Sequence, residues 1–285
     1  GAETIRVGDS ATSFNISRTL VEENLFRACN GEIETVSNKS CENVYRYNTF
    51  EGCEGTLTLR HGNRCEVYGN WFFGRGLPQT GGVRIIGEDH LVFNNYLEGL
   101  TGTGLRSAIC FVNGVPDSAL NEYFQVKRAR VLFNTIVNCA RPMTIGQTVT
   151  GGTLPPLDCT AANNLVLSSN APLVSVVTAP TNFLWAGNIF FGAAVGVSDP
   201  GIIVTNPLLS VANDGLWRPA ANSPARDAAV GDDVWLTEDF DGQPRDGAKD
   251  IGCDEISDAP IIRRPVTVAD VGPDWMRLVG AIRSV

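Results

Sequence analysis

A short motif, in which an asparagine is flanked by apolar or aromatic residues, recurs along most of this chain. Between its copies lie second apolar segments that each end in a turn, such as TLTLRHG and GVRIIGE, and helical periodicity is nearly absent. Strand-length segments that repeat at a period in the low twenties predict a parallel β-helix, in which equivalent residues of successive coils stack. The copies are RYNTF at Asn48, YGNWF at Asn70, FNNYL at Asn95, LFNTIV at Asn134, ANNLVL at Asn164 and AGNIFF at Asn188.

The repeated asparagines are best explained as structural. In stacked coils their side-chain amides would form a ladder that bonds to the backbone of the neighbouring coil at a tight turn. The longest interval separates Asn95 from Asn134. It predicts an inserted loop near Leu100–Val126, on the side of the solenoid where a substrate would be gripped.

The repeat divides the chain into three parts. Residues 1–196 are expected to form the coils of the solenoid. Residues 197–258 are rich in Pro, Gly and Asp, and we expect them to hold the last coils and a capping segment that closes the end. Residues 259–285 are expected to pack as a tail on the outside. The segment DFDGQPRDG is similar to a calcium loop, but it lacks the ligand pattern of an EF-hand, and a turn is the preferred interpretation.

The charge of the chain narrows the class of its partners. The formal net charge of the 285 residues is −9. This value argues against a nucleic acid, because phosphate binding needs a basic face, whereas a local basic groove would still bind an acidic polysaccharide. The chain contains no run of about eighteen apolar residues, so we expect no transmembrane segment.

The eight cysteines form no CxxC pair, and this argues against a zinc site. Cys41 and Cys65 occupy similar places on consecutive repeats, so one interpretation is a disulfide between them. The other interpretation is that most of the cysteines are small apolar residues stacked in the core.

Two acidic and two basic residues fall within one segment of the repeat. Glu32 and Glu34 share a face of a strand, because side chains at i and i+2 point the same way. Such a pair suits a hard cation such as Ca²⁺ or forms a solvated acidic edge. Lys39 and Arg60 are separated by about one coil and are expected to lie stacked or side by side. Two adjacent cations are unfavourable unless an anionic ligand offsets them.

A bound anionic sugar would offset the two positive charges of Lys39 and Arg60. A uronic acid is cleaved by removal of the proton on the carbon that bears its carboxylate, followed by loss of the glycosidic oxygen. A metal ion or an Arg on the carboxylate stabilises the developing charge. In this hypothesis Glu32 and Glu34 hold the metal, and Lys39, crowded by other cations, is the base. Arg60 donates the proton to the leaving oxygen, or stabilises that oxygen while water supplies the proton.

Arg84 and His61 are further candidates for substrate contact, and Arg6 and Arg106 are weaker ones that are also explained as surface residues. Arg84 would clamp a substrate carboxylate through two nitrogens, or form a salt bridge with Glu88 or Asp89. His61 would bond a sugar hydroxyl or brace the neighbouring Arg60.

Several segments resemble the family 6 polysaccharide lyases, which comprise calcium-dependent alginate lyases and the dermatan-cleaving chondroitinase B group. They are EIETVSNKS, RHGN, VYGNWFFG, GGVRIIGEDHLVFNNYLEG, NSPARDAA and DIGCDE, and together they span most of the chain. The resemblance implies an all-β, right-handed parallel β-helix. It also implies that Lys39 is the catalytic base, Arg60 the catalytic acid, and Glu32 and Glu34 two calcium ligands.

The chain departs from the family pattern at its start. The family supplies a third calcium ligand, an Asn just before a segment like GAETIRVGDS, and here that position would fall upstream of Gly1. The family's N-terminal coils are also missing. We therefore expect this chain to be the C-terminal part of a longer helix, with another polypeptide segment covering the face around Gly1–Asn15.

The sequence thus predicts a lyase that cleaves a uronic-acid polymer, with alginate as the first choice. The alternatives are a dermatan sulfate or chondroitin lyase and a non-catalytic β-helix that binds polysaccharide. A secreted or periplasmic location is expected from the polymeric substrate and from the resemblance.

Overall fold

The computed structural model describes residues 2–245 and 247–272. Within those residues no helix has the length and apolar character needed to cross a membrane. Short β-strands make up most of the regular structure, and two 3-10 helices lie at Ser10–Thr12 and Gly104–Arg106. The strands are β1 (Ile5–Gly8), β2 (Leu20–Glu22), β3 (Leu25–Arg27), β4 (Glu34–Lys39), β5 (Val44–Arg46), β6 (Thr49–Glu51), β7 (Thr56–His61), β8 (Glu66–Tyr68), β9 (Trp71–Phe73), β10 (Val83–Ile85), β11 (Leu91–Phe93), β12 (Tyr96–Glu98), β13 (Ile109–Val112), β14 (Arg130–Leu132), β15 (Thr135–Val137), β16 (Met143–Gln147), β17 (Thr160–Ala162), β18 (Leu165–Leu167), β19 (Val174–Val176), β20 (Leu184–Ala186), β21 (Asn188–Phe191), β22 (Ile202–Ile203), β23 (Leu209–Val211) and β24 (Trp217–Pro219).

Three parallel sheets are built from successive coils of the chain. The first sheet has the order β1-β4-β7-β10-β13-β16-β19, the second β2-β5-β8-β11-β14-β17-β20, and the third β22-β21-β18-β15-β12-β9-β6-β3. Strands β23 and β24 form a separate antiparallel pair. Each coil adds one strand to each sheet, and this arrangement is a parallel β-helix, as predicted from the repeat.

The core of the solenoid consists of apolar residues that the strand register places above one another. In the third sheet, Phe26, Phe50 and Phe72 are aligned on adjacent strands, and neighbouring rings stack with their centroids 4.6 Å apart. Each ring removes apolar area from water, which stabilises by about 25 cal/mol per Å². The aligned buried residues of the first sheet are Val36, Leu57, Val83, Ile109, Met143 and Val174.

A ladder of buried asparagines runs along the turn between the second and third sheets. The side-chain oxygen of Asn70 accepts hydrogen bonds from the main-chain N–H and the side-chain amide of Asn48, one coil earlier, each at 3.0 Å. Asn95 accepts from Asn70 in the same way, at 3.1 and 2.9 Å. The predicted ladder is confirmed, and Asn24, which is not among the copies of the motif given above, extends it by one coil.

The insertion between Asn95 and Asn134 is confined to fewer residues than predicted. Strand β13 lies inside the range Leu100–Val126, so part of that range belongs to the regular coil. The extra residues are 113–129, which connect β13 to β14 and which we call the β13–β14 loop. The equivalent connections one and two coils earlier are short, at residues 86–90 and 62–65.

The segment that follows the last solenoid strand, β22, packs along the side of the solenoid. Phe240 contacts Trp71 on β9, with ring centroids 5.8 Å apart, and Ile251 packs near Ile189 on β21. Residues 259–272 continue along the same side, where the Val266 N–H donates to the hydroxyl of Thr49 at 2.7 Å. These contacts place the segment over the outer face of the third sheet, whereas the sequence analysis expected a cap over the end.

Strands β1, β2 and β3 are the edge strands at the N-terminal end of the three sheets. Phe14 and Ile16 are each 50% exposed there, and Leu20 is 46% exposed. That another polypeptide segment covers this face stays a prediction.

All eight cysteines carry free thiols, and seven of them are buried. Cys41 and Cys65 are not joined by a disulfide, so the interpretation as core residues is confirmed. Burial raises the pKa of the Cys65 thiol to about 12, which keeps it protonated and unreactive at neutral pH.

Candidate active site

The adjacent strands β4 and β7 bring the predicted basic residues together. Lys39 is the register partner of His61, and a bulge leaves Arg60 as the extra residue between Leu59 and His61. The bulge redirects side chains at the end of the strand, so both Arg60 and His61 lie next to Lys39. Gly62 follows with a φ of +83°, and a Cβ at this position would collide with the main chain of Ser40. Glycine therefore allows the two strand ends to approach closely.

Three carboxylates form a cluster beside these cations. Glu3, Glu32 and Glu34, which we call the carboxylate cluster, each place one oxygen within 4.8 Å of the others. Glu3 reaches the cluster because β1 pairs with β4, and the Thr4 N–H donates to the carbonyl oxygen of Thr35 at 3.1 Å. The sequence analysis missed Glu3, and the available signal was an acidic residue just before the first alternating strand. The Asn that was expected ahead of Gly1 lies outside the described residues.

The carboxylate cluster has the chemistry of a site for a hard divalent cation. Burial raises the pKa of Glu32, and repulsion from Glu34 and Glu3 raises it further. Three carboxylates this close repel one another, and a bound cation would relieve that repulsion. Ligand sets made only of oxygen suit Ca²⁺. The residues present therefore fit a calcium ion held by Glu3, Glu32 and Glu34.

Glu34 also connects the cluster to two arginines. Arg84, which is 1% exposed, donates from Nη2 to Oε1 of Glu34. The Nε of Arg60 lies 3.8 Å from the same oxygen. The Nε of Arg84 is buried and meets no hydrogen-bond acceptor within the described residues. Glu34 thus holds both guanidinium groups on the outer face of the first sheet.

The alternative interpretation of Arg84, a salt bridge to Glu88 or Asp89, is wrong. Arg128 forms salt bridges with both of these acidic residues. Its Nη2 lies 2.6 Å from Oε2 of Glu88, and its Nε lies 2.7 Å from Oδ1 of Asp89. Arg84 points elsewhere because its register partner on β7 is Thr58, which places it on the outer face of the sheet, toward Glu34.

The β13–β14 loop covers Arg60. The guanidinium donates to the carbonyl oxygens of Glu122 and Asn121 at 2.6 and 3.0 Å. Its central carbon lies 3.9 Å from the centroid of the Tyr123 ring, the geometry of a cation–π interaction. Burial lowers the pKa of Arg60 from its usual range, while nearby Tyr123 and Glu34 act in the opposite direction. The guanidinium is thus fixed in place and a better proton donor than a solvated arginine.

His61 is a buried, neutral imidazole at neutral pH. Burial lowers the pKa of His61 to about 3, and the positive charges of Arg60 and Lys39 contribute. Its Nε2 lies 3.4 Å from the hydroxyl of Ser10, and Phe124 packs edge-on against the ring at 6.3 Å. Nδ1 is buried, and no described residue partners it. The ring is therefore available for one further hydrogen bond.

Lys39 is the more open of the two central cations. Its side chain is 16% exposed, and Nζ lies 4.0 Å from Oε1 of Glu3, the limit of an ion pair. The ammonium group is therefore held only loosely by the carboxylate cluster. A group in this position is free to approach a bound substrate.

The two weaker candidates, Arg6 and Arg106, lie in different surroundings. Arg6 is exposed, and the register aligns it with Ser37 on β4 and Thr58 on β7, in the same outward row as Arg84. Arg106 ends the second 3-10 helix, where its Nε donates to the carbonyl oxygen of Glu54 at 3.0 Å. The register thus places Arg6 in line with Arg84, three strands away, while Arg106 contacts a neighbouring turn.

Comparison with known proteins supports the resemblance noted in the sequence. The family model for chondroitinase B matches residues 1–200. The structure of the PL6 family alginate lyase AlyGC is 32% identical, with a TM-score of 0.74, and the match covers 100% of this chain and 38% of that one. The structure of a mutant of AlyGC is 37% identical, with a TM-score of 0.73, and the match covers 78% of this chain and 31% of that one.

A mannuronic acid specific family 6 polysaccharide lyase from human gut microbiota is 31% identical, with a TM-score of 0.59. That match covers 70% of this chain and 46% of the other. Among curated protein sequences, none matches this chain. The chain spans between about a third and a half of the length of these solved structures. On the family model and the structural similarity together, the chain belongs to polysaccharide lyase family 6, the family of chondroitinase B and of the alginate lyase AlyGC.

Proposed function

We propose that this chain carries the active site of an alginate lyase that cleaves by β-elimination. The observation that carries the proposal is the placement of Lys39 and Arg60 side by side on β4 and β7, next to three clustered carboxylates. The names of the similar solved structures, which are alginate lyases, support alginate as the substrate.

The substrate carboxylate would bind beside the carboxylate cluster. Arg84 lies in the same outward row as Arg6, and calcium held by Glu3, Glu32 and Glu34 would neutralise the negative charge of the sugar's carboxylate. Neutralisation makes the proton on the adjacent carbon more acidic, because the charge that develops during its removal is stabilised.

Lys39 then acts as the base. Its unprotonated Nζ removes the proton from the carbon that bears the carboxylate. The electrons of that C–H bond form a double bond to the neighbouring carbon, and the bond from that carbon to the glycosidic oxygen breaks. The electron pair of the broken bond leaves with the oxygen. One product therefore carries an unsaturated sugar at its new end.

Arg60 acts on the leaving oxygen. The lowered pKa of its guanidinium, caused by burial, favours donation of a proton to that oxygen. The carbonyl oxygens of Asn121 and Glu122 orient the guanidinium from the loop side. His61, neutral and almost completely buried beside Arg60, would brace the guanidinium, because its unpaired Nδ1 is not exposed to a bound sugar.

A second candidate is a lyase that acts on dermatan sulfate or chondroitin. It is supported by the family model, which bears the name of chondroitinase B. Sulfated polymers would require further basic residues along the groove, and the sequence shows no dense cluster of arginines in these coils. Alginate is therefore the preferred substrate class.

The test measures the ultraviolet absorbance of the double bond that elimination creates. The chain, together with any segment that precedes it in the natural protein, is incubated with alginate, dermatan sulfate or chondroitin sulfate in separate reactions containing calcium. A rise in ultraviolet absorbance with alginate alone is expected. A rise with only the sulfated polymers would assign the second candidate, and no rise with any polymer would leave a non-catalytic binding protein.

A further inference from the structure

A second group of clustered carboxylates lies outside the active site. Asp239, Asp241 and Asp254, which we call the aspartate cluster, each place one oxygen within 4.8 Å of the others. All three residues are buried, with exposed fractions of 3%, 1% and 6%. They come from the segments DFDGQ and GCDE, which pack over the outer face of the third sheet. Three buried acidic residues at this separation need an explanation.

The carboxylate of Asp239 is held by main-chain donors. Its Oδ1 accepts from the N–H groups of Asp241 and Gln243 at 3.1 and 2.7 Å, and its Oδ2 accepts from the N–H of Glu255 at 3.0 Å. Main-chain donors stabilise the charged form of a carboxylate. They also fix the turn that the sequence analysis predicted for this segment.

The positive charge at the aspartate cluster is smaller than the negative charge. Among the described side chains, Arg218 donates to Asp241 and to Asp254, each at 2.5 Å, and it also pairs with Asp214 at 2.8 Å. One guanidinium is thus shared by several carboxylates.

An independent feature points to a ligand at this cluster. Oδ2 of Asp241 is bound by Arg218, but Oδ1 is fully buried, and no donor among the described residues reaches it. A buried carboxylate oxygen without a partner destabilises the fold unless something else satisfies it. A metal ion would satisfy this oxygen and neutralise the excess charge together.

Two members of the aspartate cluster line depressions in the surface. Asp241 lines a cavity of about 450 Å³ between the third sheet and residues 261–267. Asp254 lines a separate depression of about 180 Å³. An ion therefore has a route to the carboxylates, as a metal site requires.

We propose that the aspartate cluster binds a divalent cation, with calcium as the ion that its ligands favour. The donors are carboxylate oxygens, which suit Ca²⁺ better than softer metals. The site differs from an EF-hand because Asp254 comes from a separate turn. Its role is structural: the ion joins the turns at Asp239 and Asp254 and so holds the segment that packs along the third sheet.

The test counts bound calcium after the carboxylate cluster has been disabled. The chain with Glu3→Gln and Glu32→Gln is expected to bind about one Ca²⁺ by titration calorimetry, with terbium luminescence sensitised by Trp217 as a second readout. Adding Asp241→Asn is expected to abolish that binding. Asp214→Asn is the matched control, because it removes another partner of Arg218 without touching the aspartate cluster, and binding should persist.

A second measurement covers the case in which Asp241→Asn fails to fold. The Tm of the Glu3→Gln, Glu32→Gln chain is expected to rise with calcium, since an ion at about 100 times its Kd shifts the unfolding equilibrium about 100-fold. An unchanged Tm together with no bound calcium would overturn the proposal. It would mean that protons neutralise the cluster instead of a metal.

Discussion

Arg84 on β10 donates to the carboxylate of Glu34 on β4, across the intervening strand β7. Both side chains are almost completely buried, with exposed fractions of 1% and 7%. The pair couples three strands of the first sheet and fixes one oxygen of the carboxylate cluster. Arg60 shares the same oxygen of Glu34, so the orientation of the proposed proton donor depends on this pair as well.

Arg84→Ala is expected to destabilise the fold by about 3–5 kcal/mol, because it removes the hydrogen-bonded partner of the buried Glu34 and leaves only the more distant Arg60, at 3.8 Å. Urea unfolding gives the change in the free energy of unfolding. The control, Arg128→Ala, breaks an exposed pair and should cost less than about 1 kcal/mol. Adding Glu34→Gln to Arg84→Ala should recover part of the loss, and no recovery would show that Glu34 is not the partner that matters.

Lys39→Ala is expected to lower kcat on alginate by about 10³-fold, since a positioned base contributes about 10²–10⁴. Lys39→Arg should be equally inactive, because it keeps the charge but holds its proton too tightly to act as a base. Arg64→Ala, which removes an exposed cation paired to Glu42, is the control and should keep full activity. A Lys39→Ala chain that folds and retains most of its kcat would show that another group removes the proton.

The fold was predictable because every coil repeats the same short sequence pattern. Each Asn motif satisfies the turn of its neighbour, and each strand places an apolar residue in the core, so a weak signal recurs many times. The motif is harder to recognise in the first coil of the sequence. Asn24 joins the ladder, yet two glutamates precede it in EENLF, where each of the other copies has an apolar or aromatic residue.

The site was predictable only where its residues follow strand geometry. Lys39 and Arg60 are about one coil apart, so the period brought them together. Glu32 was placed correctly beside Glu34, although it lies in the bend that precedes β4. Glu3 depends on how β1 is offset against β4, and Tyr123 depends on the path of a long loop. Those contacts are tertiary, and the acidic residue before the first strand, the one local signal for Glu3, does not by itself specify them.

Tyr123 provides a test of whether the β13–β14 loop orients Arg60. Tyr123→Ala is expected to lower kcat by about 10-fold, because a partly buried cation–π contact is worth about 1–2 kcal/mol. Tyr123→Phe keeps the ring and should retain most of the activity. If the phenylalanine variant is as slow as the alanine variant, the hydroxyl contributes instead, and the role of the ring as a support for Arg60 would be wrong.

The raised pKa of Glu32 makes a prediction about calcium and pH. A carboxylate whose pKa is raised above 4.5 keeps its proton to a higher pH, and a protonated carboxylate is a poor calcium ligand. Calcium affinity at the carboxylate cluster should therefore fall as the pH is lowered toward the pKa of Glu32, before Glu side chains in general are protonated. Calorimetric titration across this pH range measures the effect in the Asp241→Asn chain, where the aspartate cluster does not contribute. Glu32→Gln should weaken binding and remove its share of the pH dependence, and a dependence that survives unchanged in this variant would place the titrating group elsewhere.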